Sequence, residues 1–307
     1  MSRGFSYYPG CSLKTSSRLY DASVRKVLPT YGVHLHELED WSCCGASAAP
    51  TVNETLSYAL AGRNIAIAEG AGRAVLAPCS ACYMRMRTAN EALQSDLRLK
   101  ERINRALAPL KVGAGTEVRN IIEVLHDTVG LAAIEHSTRF DLSSLRVVPY
   151  YGCVLTRTLR SIKPFDDKEN PKSMDRVLAA LGTEVVPWPY KMECCGASKT
   201  VTAKDVTRRM SEKIVSAAAA LGADAIVTPC PLCQMNLDLL PYLGQGRNLP
   251  VLFLTEVCEL ALFGSLGSPG SHIVGVKEVV GKIRPGREPR GDPVLSGRGP
   301  SGTGGAA

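Results

Sequence analysis

Short apolar runs rich in β-branched residues alternate along this chain with longer stretches whose apolar positions recur at helical spacing. Arg146-Val-Val-Pro-Tyr-Tyr151 reads as a strand, as do Thr183-Glu-Val-Val-Pro187 and Ala225-Ile-Val-Thr228. Between them, the periodicity predicts one helix over Pro171–Leu181 and an alanine-rich one over Ser211–Leu221. Gly182 and Gly222 follow directly, where a glycine can end a helix by turning left-handed. Strand, helix, strand, helix in this order predicts right-handed βαβ units and a parallel sheet.

The pattern occurs twice. Tyr8-Pro9-Gly10-Cys11 matches Tyr150-Tyr151-Gly152-Cys153, and Cys43-Cys44-Gly45-Ala46-Ser47 matches Cys194-Cys195-Gly196-Ala197-Ser198 unchanged. Ala74-Val-Leu-Ala-Pro-Cys79 aligns with Ala225-Ile-Val-Thr-Pro-Cys230, and Asn120–Leu125 aligns with Phe253–Cys258. A duplicated unit of about 145 residues therefore accounts for the chain up to residue 265. The expected organisation is a first cysteine-rich α/β domain at 1–145, a second at 146–266, and a tail at 267–307. The tail holds 11 glycines and 5 prolines, too many to pack, and is expected to be mobile apart from a short piece around Ile273–Val280.

Composition narrows the class. Of 307 residues, 45% are hydrophobic and 21% charged, as in a globular protein. No apolar run reaches membrane-spanning length, and the first eleven residues lack the apolar core of a secretory signal. The expected location is the cytoplasm, where thiols stay reduced and serve as metal or redox groups rather than disulfides. The net charge of +7 is scattered, and with 6% aromatics and no nucleic-acid motif a nucleic-acid binder is not expected.

Ten of the eleven cysteines fall into two matching sets: Cys11, Cys43, Cys44, Cys79 and Cys82, then Cys153, Cys194, Cys195, Cys230 and Cys233. In each set 33 residues separate the Cys-Cys-Gly glycine from the CxxC. Each CxxC follows a strand and a proline and precedes a helix, whose free N–H groups favour thiolates. Alone, a CxxC also suits a thioredoxin-like dithiol, and a structural zinc takes four ligands. Five per set exceeds both zinc and a simple [4Fe–4S] cube. Either one cysteine is spare in each set or the cluster is not a simple cube, and the same surplus in both sets favours the latter. The five histidines, His34, His36, His126, His136 and His272, lie outside the motifs and are not expected as ligands. Cys258 aligns with Leu125 and is expected in the core. Lys14, Arg18, Arg85, Arg87, Arg157, Arg160 and Lys163 follow several ligands closely. They suit an anionic ligand or a solvated helix face equally.

The doubled Cys…Cys-Cys-Gly…Cys-x-x-Cys resembles the CCG-domain (cysteine-rich domain) family over roughly residues 5–265, and within it the B subunit of heterodisulfide reductase. One departure is the spacing, with 40 residues between Cys153 and Cys194 against 31 between Cys11 and Cys43; a loop around Lys163–Asn170 can absorb it. The resemblance implies two Rossmann-like halves related by a pseudo-twofold axis. It implies two noncubane [4Fe–4S] clusters, one on each set of five cysteines, facing a shared cavity. It further implies an oxidoreductase that splits or forms a small disulfide in one-electron steps. Its partners would be the enzyme's ferredoxin-like C subunit with its flavin-containing A subunit. A second reading is an electron-transfer subunit of a quinone-linked dehydrogenase of succinate, lactate or glycolate, or of a sulfur-oxidising complex. A zinc scaffold is the third.

Overall fold

The computed structural model describes residues 4–46, 48–156, 162–244 and 247–286. Strands β1 (Gly4–Tyr7), β2 (His34–Glu37), β3 (Val75–Leu76) and β4 (Val118–Arg119) form one parallel sheet in the order β2-β1-β3-β4. After β5 (Phe140–Asp141), strands β6 (Arg146–Pro149), β7 (Glu184–Val185), β8 (Ala225–Thr228) and β9 (Val251–Phe253) repeat it as β7-β6-β8-β9. The α/β class and the paired Rossmann-like halves are thus observed. β1 and β6 are interior strands, so Phe5, Ser6 and Tyr7, like Val147 and Val148, are buried on both faces. Edge strand β2 carries His-Leu-His-Glu and is largely exposed.

The predicted helix over 171–181 spans Ser173–Ala180, and the one expected from Ser211 starts earlier, at Lys204, and runs to Ala220. Its inward face includes Thr207 and Ser211, which are fully buried, so polar residues hid the first turns from an apolar periodicity. The 40-residue spacing is taken up between the helix Cys153–Thr156 and Ser173. There Asp166 accepts hydrogen bonds from Lys172 N (2.8 Å) and Ser173 N (2.6 Å), tying the inserted loop to the helix start.

The sheets divide near residue 146, but the packing does not. Helix Leu254–Phe263, at the end of the second half, lies on helix Arg18–Thr30 of the first. Reciprocally, the helical run 121–137 lies on Ser173–Ala180. Tyr20 and Phe253 stack across this seam with centroids 4.1 Å apart. One apolar core therefore runs through both halves, and a smaller one sits under Lys204–Ala220 and Pro231–Leu243.

Residues 267–286, of which only a short piece around Ile273–Val280 was expected to be ordered, are built into the body throughout. Gly267 N bonds Glu259, His272 pairs with buried Glu256 at 2.9 Å, and Asp238 accepts Ile273 N and Val274 N. Val276 and Val279 are buried, and β10 (Arg284–Pro285) pairs antiparallel with β5. Glycine and proline counts overlooked these buried carboxylates, which satisfy the backbone that the segment leaves unpaired. The remainder of the expected tail, from residue 287, lies outside the described residues, as do Ser47, Arg157 and Arg160. Among the described residues no helix is long and apolar enough to cross a membrane.

Candidate metal centre

In each half the five cysteines sit at the carboxyl ends of three adjacent strands. Cys11 follows β1 and Cys153 follows β6; the Cys-Cys-Gly loops follow β2 and β7; the CxxC motifs follow β3 and β8. That is the crevice where strand order reverses, the usual ligand position in an open α/β sheet. The CxxC motifs open helices rather than preceding them. Cys79 and Cys230 are the N-cap residues of Ser80–Ser95 and Pro231–Leu243, which places Cys82 and Cys233 in the first turn.

The sulfurs meet in pairs. Cys44 and Cys82 Sγ are 3.3 Å apart, Cys195 and Cys233 Sγ 3.4 Å, and Cys11 and Cys43 Sγ 3.9 Å. Cys153 and Cys194 likewise lie close enough for each thiol to shift the other. Between the halves, Cys79 and Cys230, the same position of the repeat, lie close enough for each thiol to shift the other. Cys11 and Cys43 are exposed, whereas Cys44, Cys79, Cys82, Cys195, Cys230 and Cys233 are buried. Cys258 is fully buried in the apolar core.

Small residues bring the backbone this close. Gly10 has φ +67° and Gly152 φ +73°, and a Cβ on either would stand 3.2 Å from Cys82 Sγ or 3.1 Å from Cys233 Sγ. Gly45 and Gly196 both turn at φ +79°. Sequence reasoning did not single out Tyr8 and Tyr150 as site residues, although the repeat aligned them. Each is fully buried, and their hydroxyls donate to the carbonyl just before each Cys-Cys pair: Tyr8 to Ser42 O at 2.8 Å, Tyr150 to Glu193 O at 2.6 Å. Asn64 further pins Ser42 through both its N and O, at 2.9 Å each.

The electrostatics favour thiolates at Cys44, Cys194 and Cys230, whereas the neighbouring sulfurs, then burial, push Cys43, Cys79, Cys82, Cys153 and Cys233 up. Hydrogen bonds from Cys43 and Cys82, with the Ala46 N–H, hold Cys44 down to about 3 despite burial, and Cys43 moves up in return. The Cys153 thiol, then the Gly196 N–H, lower Cys194 to about 6. Hydrogen bonds from Cys233 and Cys79, then the N–H groups of Cys233 and Leu232, lower Cys230. Burial, then the nearby sulfurs, keeps Tyr8 and Tyr150 protonated as donors.

Of the basic residues, Lys14 pairs with Glu37, and Arg87 donates to Lys163 O at 2.8 Å. Arg85 points inward: Nη1 donates to buried Ser57 at 3.0 Å, and Nε is buried without a hydrogen-bond partner.

A cavity of about 100 Å³ is lined by all five cysteines of the second set and none of the first, with Ala46, Ser80 and Ala81 contributed by the first half. Among the described residues no three Cys, His, Asp or Glu side chains converge on a single-ion site. Paired thiolates spread over a few ångströms beside a cavity fit a group of several metal atoms better than one ion, and the orphaned Arg85 Nε suits an anionic one.

Twin open sheets, each carrying five thiols at its strand ends, define a duplicated cysteine-rich α/β module. The chain belongs to the CCG cysteine-rich domain family, which matches residues 5–87 and 147–238. It is 34% identical over 269 residues to the 8-methylmenaquinol:fumarate reductase membrane anchor subunit of Wolinella succinogenes, covering 85% of this chain and 93% of that one. It is 26% identical to a protein of Archaeoglobus profundus described as like the B subunit of heterodisulfide reductase, over 84% of this chain and 90% of the relative. A further relative is the B subunit of the ferredoxin:CoB-CoM heterodisulfide reductase of Methanosarcina mazei, 28% identical over 84% and 88% of the two chains. A hypothetical protein from Helicobacter pylori shares the fold, with TM-score 0.74 and 13% identity over 91% of this chain; the match spans about half, 53%, of that structure.

Proposed function

We propose that this chain is the iron–sulfur electron-transfer subunit of a larger oxidoreductase, with a noncubane [4Fe–4S] cluster on each set of five cysteines. The observation that carries this reading is the doubled five-thiol set at equivalent strand ends, one thiol more than a cube takes. Bound there, such a cluster takes up and gives back one electron at a time. The chain's part is to hold thiolates with backbone N–H groups, fix the loops through Tyr8 and Tyr150, and keep water from the buried sulfurs.

The cavity favours one redox partner. Apart from its cysteines, Ser80, Ser198 and Gly152, its described lining is Ala46, Ala81, Tyr151, Val154, Ala197 and Leu232, with no lysine, arginine or histidine. Burying an anionic group there unpaired is costly. An uncharged two-electron carrier of the quinol type fits best, in line with the fumarate reductase relative. The disulfide reading, in which the ferredoxin-like and flavin-containing subunits are the partners, draws its support from two complete cysteine sets and the heterodisulfide reductase relatives.

The test is anaerobic purification and iron analysis, followed by mixing with a short-chain naphthoquinol or a small neutral disulfide. The expected result is about eight irons per chain and rapid bleaching by the quinol. Cys44→Ala and Cys195→Ala each lose iron. Undiminished iron in both variants refutes the cluster assignment, and clusters that ignore quinol but, once reduced with dithionite and freed of the excess, are reoxidised by the disulfide as it splits to two thiols favour the second reading.

A further inference from the structure

Among the described residues, the halves repeat each other closely around the sulfurs yet differ in charge on the helix that each CxxC opens. Three residues beyond the last ligand of each set, on the same helix face, stand Arg85 and Asn236. Asn236 is neutral and satisfied: Nδ2 donates to Cys195 O at 3.1 Å, and Oδ1 accepts from Thr200 at 3.1 Å. Ser211 also donates to Cys195 O, at 3.3 Å. Arg85 is a permanent cation held by Ser57, with its Nε donor buried and unpartnered. A buried donor without an acceptor is unfavourable, so a negative group held at Cys82, one turn back on the same helix face, relieves it.

We propose that Arg85 holds the first cluster at a higher reduction potential than the second, so that the two repeats are an ordered pair and not equals. The proposal rests on the reading that each set carries an iron–sulfur cluster. On one-electron reduction the first centre gains one electron and one negative charge, and its donor loses one electron. No bond forms or breaks, and no proton moves. The fixed guanidinium, in a poorly screening interior, stabilises that added charge. Asn236 offers no such charge to the second centre, which borders the cavity. An electron accepted at the cavity therefore runs downhill from the second set to the first. Cys230 and Cys79, in contact between the halves, give the short route. The first set presents Cys11 and Cys43 at the surface, where a partner protein can take the electron.

The experiment is a redox titration of the full, cluster-loaded chain followed by electron paramagnetic resonance, with iron measured on every preparation. A Cys11→Ser variant assigns the signals to the two sets. Wild type is expected to show two steps, the first set being the higher. Arg85→Met lowers that step's equilibrium constant at least tenfold, about 59 mV for one electron, and leaves the other unmoved. Arg85→Lys, which restores the charge, keeps most of the wild-type value. Ser57→Ala, which frees the guanidinium without removing it, gives a smaller drop in the same step and serves if the Met variant fails to fold. Coincident steps in wild type, both steps moving together, neither moving, or a Lys variant as low as the Met variant each overturn the proposal. Full iron with any of those results overturns this inference alone, whereas wild type without iron defeats the cluster reading and this inference with it.

Discussion

Gly10 and Gly152 show how single residues set this site. Each combines a left-handed backbone with a sulfur 3.1–3.2 Å from where a Cβ would stand. Alanine at either position costs about 1–2 kcal/mol in backbone strain and pushes the CxxC sulfur outward. Gly10→Ala is therefore expected to lose iron from the first set and Gly152→Ala from the second, with far-ultraviolet circular dichroism little changed. Iron analysis beside the spectrum checks this. The grouping of ten cysteines into two matching sets was legible because spacing alone aligned them. Tyr8 and Tyr150 were visible in the repeat, but their task, a hydroxyl reaching across to the next loop, depends on packing that no local pattern encodes. Arg85 read as one more basic residue on a helix. Its inward turn follows from its contact with Ser57, 28 positions away.

Among the elements, strands and helices of the second half were read nearly as they stand, since β-branched runs and glycine stops are local signals. Less legible were helix starts whose inward face is polar, as at Thr207 and Ser211, and the motif cysteines' place inside their helices. The helix starts after β4 and β9 share another device. At the third helical position Glu123 accepts Asn120 N at 2.9 Å, and Glu256 accepts Phe253 N at 2.8 Å. Burial pushes Glu123 up from 4.5 to about 7, against the lowering pull of Asn120 N–H, Arg87, Tyr83 and Arg119. The native state therefore keeps a proton that the unfolded chain has lost, and stability falls as pH rises through that window. The full effect is on the order of 3 kcal/mol. Glu123→Gln should remove this slope, so that wild type loses ground against the variant between pH 4.5 and 7 in urea denaturation.

At the scale of the molecule, duplication was legible and interlocking was not. The repeat gives two sheets, yet each half's last helical segment rests on the other half's first long helix, a contact between residues far apart in sequence. Composition understated the ordered part of 267–286 for the same reason, expecting only the piece around Ile273–Val280, since the partners Asp238, Glu256 and Glu259 lie upstream in the fold. The interlock brings Cys79 and Cys230 together, so the two sets meet at a point. Cys79→Ala should then lower iron at both sets, whereas Cys11→Ala, at an exposed outer corner, empties only its own. Iron per chain and the two resonance signals tell these outcomes apart. A gene duplication ordinarily leaves one copy free to decay while its twin keeps the trade. Here the seam removes that freedom: a lesion at the touching sulfurs is a lesion in both copies, and the pair must be kept or lost together.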